Sequence, residues 1–308
     1  MLLSWFGKIK NIILTPFYWL RAYPPIWRFL NRSARHRYRE QAPHLSMTQE
    51  RVVRELREQG ISIVHAEELL SDQNILSEVY AYAQQDFPAR EERTETKTYF
   101  VELLGLRPKL RSLDPFLTLA LTAPVLNVVN SYFDLWTQLN SVSLSLTQIT
   151  APNSPALYSQ CWHRDPEDIQ TCKVFLYFHD VDETTGPLQY IKGSHGRGRW
   201  GNLLGQRPPR GRYPPEGALE RIIPPEDIVT CTGKAGTLIF CDTRGFHRGG
   251  YATSHTRQML TLGFVSPVSP WPQRFELAFD PGSVSLNEAA YFALDGRKKF
   301  LWSLKTFS

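Results

Sequence analysis

The sequence predicts a mainly β fold with flanking helices (α+β), a barrel or sandwich of short strands behind an N-terminal helical extension. Three observations carry this. From about residue 139 onward, alternating or apolar runs are separated by Gly- and Pro-containing turns, as in barrels and sandwiches. Before that point, apolar residues recur at helical spacing. Over 308 residues, 42% are hydrophobic and 21% charged, which excludes a disordered or collagen-like chain.

The elements follow in order. In residues 1–20, Leu2, Phe6, Ile9, Ile13, Phe17 and Leu20 share one helical face, and Pro16 kinks or ends that helix. Trp5, Trp19, Trp27 and the basic residues around this face suit a helix lying flat at a membrane interface. A helix packing on the protein body is the competing reading. A signal peptide fits less well, because Lys8 and Lys10 interrupt the apolar run. Residues 25–42 form an Arg-rich helix. Met47 to Gln59 is a further helix with Ser46 and Gln49 as a capping box, and Gly60 ends it before the strand Ile61 to Val64. Helices are predicted around 66–86 and 114–133. Strands follow at Ser141 to Thr150, Lys173 to Asp180, Leu188 to Ile191, Thr237 to Cys241 and Gln258 to Val265. In the first of these, Val142, Leu144, Leu146, Gln148 and Thr150 form the expected inward face, because that face holds the larger aliphatics. Residues 197–226 are a Gly/Pro/Arg-rich insert, and loops of that length are functional or mobile.

Charge is unevenly placed. Residues 1–40 hold eight Lys and Arg against Glu40 alone, a net +7; with +5 for the whole chain, the rest carries −2. A body that grips nucleic-acid phosphates would itself be basic, so that class is set aside. Cys161, Cys172, Cys231 and Cys241 form no C-x-x-C pair, and their number fits a reducing compartment.

The chemistry concentrates in Trp162-His163-Arg164-Asp165 and in His247, which follows the strand Thr237 to Cys241. Two histidines and one carboxylate on one face of an octahedron leave three positions open, the facial triad of non-haem iron(II) oxygenases. Taken alone, His163 reads as a surface or capping histidine and Arg257 as a salt-bridge partner. Together with the triad, Arg257 would place a planar fork on the distal carboxylate of 2-oxoglutarate.

The chain resembles the phytanoyl-CoA dioxygenase family of Fe(II)/2-oxoglutarate-dependent oxygenases. The resemblance rests on Gln160 to Asp165, Asp182 to Leu188, Ile191 to His195, Gly236 to Phe240 with His247, and Arg257, in family order across roughly residues 48–267. Lys192 stands where the family has Pro before Gly-Ser-His, and Gly249 where relatives carry a hydroxyl residue. The resemblance implies a double-stranded β-helix, a cupin-like jelly roll. It also implies His163, Asp165 and His247 as iron ligands, Arg257 as the 2-oxoglutarate anchor, and O2 as co-substrate. Phe175 and Gln148 are further candidates for the co-substrate pocket. His195 belongs to a turn shaping the barrel mouth, while His179 and His255 lie outside the matching motifs.

The expected organisation is a basic amphipathic extension over 1–46 and an oxygenase domain over 47–308, with 197–235 as a lid insert. The expected activity is hydroxylation of a small or lipid-linked organic substrate, with succinate and CO2 released. The alternatives are a non-catalytic membrane-associated binding protein and a cupin-type metalloenzyme that does not use 2-oxoglutarate. Arg197, Arg199, Arg207, Arg210 and Arg212 in the insert point to an anionic substrate group. The basic N-terminus points to peripheral contact of residues 1–40 with an anionic membrane, from the cytoplasmic side.

Overall fold

A computed structural model describes residues 20–87, 99–151, 154–205 and 213–295. The expected helix over residues 1–20 therefore falls, save its last residue, outside the described residues. In chain order the strands are β1 (Ile61–His65), β2 (Phe100–Glu102), β3 (Lys109–Leu110), β4 (Gln138–Thr147), β5 (Cys172–Tyr177), β6 (Leu188–Ile191), β7 (Ile228–Cys231), β8 (Thr237–Cys241), β9 (His247–Gly249), β10 (Arg257–Val265) and β11 (Glu276–Leu277). The major sheet is antiparallel, in the order β1-β8-β5-β10-β4-β2, and the minor sheet is β7-β6-β9. Helices cover one face of the major sheet, and the minor sheet closes the other, as in a jelly roll.

The helix Met47–Gln59 starts where Ser46 Oγ accepts from the Gln49 amide while Gln49 Oε1 accepts from the Ser46 amide. Gly60, at φ +81°, ends it and turns the chain into β1. A side chain at Gly60 would also strike the Tyr190 hydroxyl and the His195 ring. The helix expected over 66–86 is interrupted, because Asp72 turns its carboxylate onto the Asn74 amide and caps a new helix, Gln73–Ala83. The helix expected over 114–133 is likewise two helices, Pro115–Leu121 and Ala123–Phe133, bent by 50°. Pro124 sits in the first turn of the second, where its missing N–H has no partner to lose.

Both faces of the major sheet are covered, and this reverses one expectation. Val142 and Leu144 of β4 pack outward against the helices, with Val174, Leu176, Leu260 and Leu262. Ser143, Ser145 and Thr147 face the space between the sheets. The larger aliphatics do mark a buried face, but it is the face under the helices. An interior that holds a cavity takes the small polar side instead.

The basic segment engages this body from Arg21, whose Nη1 donates to Val268 O at 3.3 Å. Trp27 is buried, and its indole N–H lies 2.9 Å from Asp168 Oδ1 and 3.1 Å from Ser266 Oγ. Arg35 and Arg39 pair with Asp134, and Tyr38 donates to Ser131 Oγ. Trp27 is thus a packing residue; the expectation that it flanks a membrane-facing stripe is corrected. Of the two bounds read for the insert, the structure agrees with 226 rather than 235. Residues 228–231 form β7, paired with β6. Within the insert, Arg197 donates to Gln170 and Arg199 pairs with Asp227. Arg207, Arg210 and Arg212 fall outside the described residues.

Candidate active site

The two histidines are brought together by backbone pairing. His163 and His247 are bridge partners, exchanging both N–H···O bonds at 3.0 Å, and their rings lie 4.2 Å apart between centroids. In each ring Nδ1 faces a backbone carbonyl two residues upstream: Cys161 O at 2.9 Å and Gly245 O at 3.0 Å. A carbonyl only accepts, so Nδ1 carries the proton and Nε2 keeps its lone pair. Asp165, held by its amide on Thr243 O, lies with Oδ1 4.0 Å from His163 Nε2 and Oδ2 3.6 Å from His247 Nε2. All three side chains are buried, and one ligand atom from each lies within 4.8 Å of the others. Two neutral nitrogens and one carboxylate, with their second hydrogen bonds already made, fit a divalent iron with open positions.

The electrostatics agree with that donor set. Burial would raise the Asp165 carboxyl, but Lys173, whose Nζ is 2.6 Å from Oδ2, and the two histidines outweigh it and hold the group below the usual carboxylate range. Burial opposes the charge on Lys173 too, and Asp165 and Glu167 more than offset it. Burial and the neighbouring His247 push His163 down to about 3, and burial lowers His247.

These shifts set the acid stability of the metal-free protein. In the unfolded chain both histidines take up a proton near pH 6.5. Protonation therefore favours unfolding: the contribution is complete above that value and is lost as pH falls below it. Each histidine then contributes up to about 1.4 kcal/mol per pH unit. The urea midpoint of the metal-free protein should fall between about pH 6.5 and 4.5, and less steeply in His163→Asn; a flat midpoint in the wild type would refute neutral buried imidazoles.

His163 and His247 line a cavity of about 490 Å³ between the sheets. Arg257 lines it, buried at the start of β10. Its Nη2 reaches Thr147 Oγ1 at 3.3 Å, but Nε and Nη1 are buried with no hydrogen-bond partner among the described residues. Unpaired buried guanidinium donors are costly, and a carboxylate satisfies them in a planar fork. The distal carboxylate of 2-oxoglutarate fits this vacancy of partners. Phe175 also lines the cavity. Gln148 does not; its amide bonds to Tyr99 O, and the neighbouring Thr147 takes the cavity-facing position by strand alternation.

Three other histidines sit apart. His195 donates from Nε2 to Arg57 O, His179 Nε2 accepts from the Gln258 amide, and exposed His255 bonds to Ser254. Sequence reasoning placed Lys173 on the face of β5 that carries Phe175, without its bond to Asp165. It missed Arg274, which lines the cavity and donates from Nη2 to Glu167 Oε1 at 3.2 Å. The only signal for Lys173 was parity: a lysine among apolar residues on an inward strand face.

A family model described as phytanoyl-CoA dioxygenase matches residues 47–259. No curated protein matches the chain. Among solved structures, the chain is similar to SnoN, the non-haem α-ketoglutarate-dependent epimerase from nogalamycin biosynthesis. It shares 18% identity and a TM-score of 0.53 over 71% of this chain and 84% of SnoN. SnoN in complex with Fe3+, α-ketoglutarate and nogalamycin RO gives 17% identity and a TM-score of 0.52, over 73% and 86% of the two chains. That likeness shows the fold, and the family match spans more than half of the sequence: the chain belongs to the phytanoyl-CoA dioxygenase family of iron(II)- and 2-oxoglutarate-dependent oxygenases.

Proposed function

We propose that the protein is an Fe(II)- and 2-oxoglutarate-dependent dioxygenase that hydroxylates a small organic substrate carrying an anionic group. The single observation that carries this reading is the pairing, across one cavity, of the His163/Asp165/His247 cluster with a buried Arg257 whose Nε and Nη1 lack partners. When bound, iron supplies the redox chemistry that couples O2 to oxidation of the substrate and of 2-oxoglutarate, which leaves as succinate and CO2. The chain's own residues do the rest. His163 and His247 present neutral Nε2 lone pairs, and Asp165 supplies the negative charge. Arg257 fixes the far end of 2-oxoglutarate, and Phe175, Met259 and Leu188 keep the cavity wall apolar. Lys173 holds the Asp165 carboxylate in place through Oδ2.

Support for an anionic substrate comes from the same cavity. Among the described residues, the only side-chain hydrogen bond of Arg274 is to Glu167, which leaves most of its fork for a ligand. The hydroxyls of Ser143, Ser145 and Thr261 line the wall nearby. SnoN, an epimerase, bears the same fold, so hydroxylation is the specific part of this proposal. A cupin-type enzyme that does without 2-oxoglutarate would have no use for the unpaired donors of Arg257. Trp27, Arg35 and Arg39 are engaged with the body. The peripheral membrane contact we propose therefore rests on residues 1–19, on the cytoplasmic face.

The test is anaerobic titration of the protein with Fe(II) and 2-oxoglutarate, followed by admission of O2. A metal-to-ligand charge-transfer band and then succinate are expected. A wild-type protein that binds Fe(II) but shows neither would sink the reading.

A further inference from the structure

The far side of the histidine pair is built as carefully as the near side. His163 and His247 are directly opposed across an antiparallel bridge. Their chain neighbours are therefore opposed too, Trp162 with Arg248 and Arg164 with Phe246, and all four side chains project away from the cavity. Each arginine lies over the aromatic ring facing it: Arg248 4.3 Å from the Trp162 centroid, and Arg164 3.9 Å from that of Phe246. The result is a two-tier platform behind the ligand pair.

The described part of the insert after residue 212 packs against this platform. Glu220 places one oxygen, Oε1, 2.7 Å from the Trp162 indole nitrogen and 3.3 Å from Arg248 Nη1. A single carboxylate oxygen thus ties the neighbour of one histidine to the neighbour of the other. Leu219 and Ile223, on either side of Glu220, are buried against Trp162 and Phe246. At the other end of the platform, Arg164 donates to the carbonyls of Gly201, Ser194 and Trp200 at the root of the insert. Tyr213 brings its ring 5.7 Å from that of His163. Described residues of the insert therefore touch both the platform behind the histidine pair and the His163 ring itself.

We infer that Glu220 is a positioning residue for the metal centre: through Trp162 and Arg248 it locks the relative placement of His163 and His247, and so couples docking of the insert to metal affinity. This rests on the reading of the two histidines as ligands. As an exposed ion pair Glu220 adds little to global stability. Its effect is geometric, acting on two ligands that must converge on one ion.

The experiment measures Co(II) affinity by ligand-field absorption, alongside thermal melting of the metal-free protein. Glu220→Ala should weaken Co(II) binding by about tenfold, the scale of outer ligand contacts, with melting nearly unchanged. Glu220→Gln keeps an acceptor for the Trp162 N–H and should recover most of the affinity. Trp162→Phe keeps a ring under Arg248 but loses the N–H, and should match Glu220→Ala; the double variant should add little, since both remove one contact. Unchanged Co(II) affinity in Glu220→Ala overturns the inference. So does a loss that Glu220→Gln fails to rescue and that tracks a fall in melting temperature, which marks a merely structural role. A wild type that takes up no Co(II) would instead overturn the functional reading beneath it.

Discussion

Asp165→Ala will lose the Fe(II)–2-oxoglutarate charge-transfer band, and succinate formation will fall on the order of 10³-fold or more, the equivalent of about 4 kcal/mol in the barrier. Loss of a ligand is only part of the reason. Lys173 lies 2.6 Å from the Asp165 carboxylate, with its charge held in place by that partner. Without Asp165, an ammonium group remains beside the two histidines and repels an incoming divalent ion. The second variant follows from that. Lys173→Met in the Asp165→Ala background should bind Co(II) more tightly than Asp165→Ala alone, although it restores no ligand. Removing one partner of a buried pair also leaves the other uncompensated, so the single variant should melt lower than the double. Persistence of the charge-transfer band in Asp165→Ala would remove this residue from the metal centre.

Arg257→Leu will raise the 2-oxoglutarate concentration needed for half-maximal succinate formation by roughly 10²- to 10⁴-fold. Each hydrogen bond from a charged donor is worth about 1.5–3 kcal/mol, and the unpaired Nε and Nη1 offer two. The loss should fall on the half-saturating concentration more than on the maximal rate, because in the proposed role Arg257 holds the co-substrate away from the bond being oxidised. Arg257→Lys should recover only part of the affinity, since a single ammonium cannot reproduce the fork. The metal-free variant provides an independent check. Arg257→Leu removes buried donors that lack partners, so melting in the absence of ligand should be no lower than wild type. A strong drop in melting with an unchanged 2-oxoglutarate requirement would make Arg257 a structural residue.

Much of the fold was legible because local rules and tertiary packing agree. Ser46, Gln49 and Gly60 mark the ends of a helix by their own chemistry, and the capping box and the left-handed turn are there. The internal breaks of the other helices were harder to read. Asp72 and Pro124 are good helix-starting residues, yet each lies inside a segment whose apolar spacing continues past it. β4 misled for a different reason. Alternation separates two faces but does not say which meets a cavity, and here the larger aliphatics lie under helices on the outside of the sheet. Trp27 illustrates the same limit: its place beside an apolar, basic segment reads as interfacial until Asp168 and Ser266 are seen to receive its N–H.

By itself, the sequence singled out the candidate chemistry-bearing residues. His163, Asp165, His247 and Arg257 stand in the order of the family motifs they resemble, and ligand type is a property of the side chain alone. Only the tertiary structure decided how those residues are supported. The bond from Lys173 to Asp165, the lack of partners at Arg257 Nε and Nη1, Arg274 at the cavity wall and the grip of Glu220 on Trp162 and Arg248 all depend on how separate segments are brought together. Such contacts depend on strand register and on which sheet face is covered. Both are set by the summed packing of the whole domain, which no local run of residues encodes.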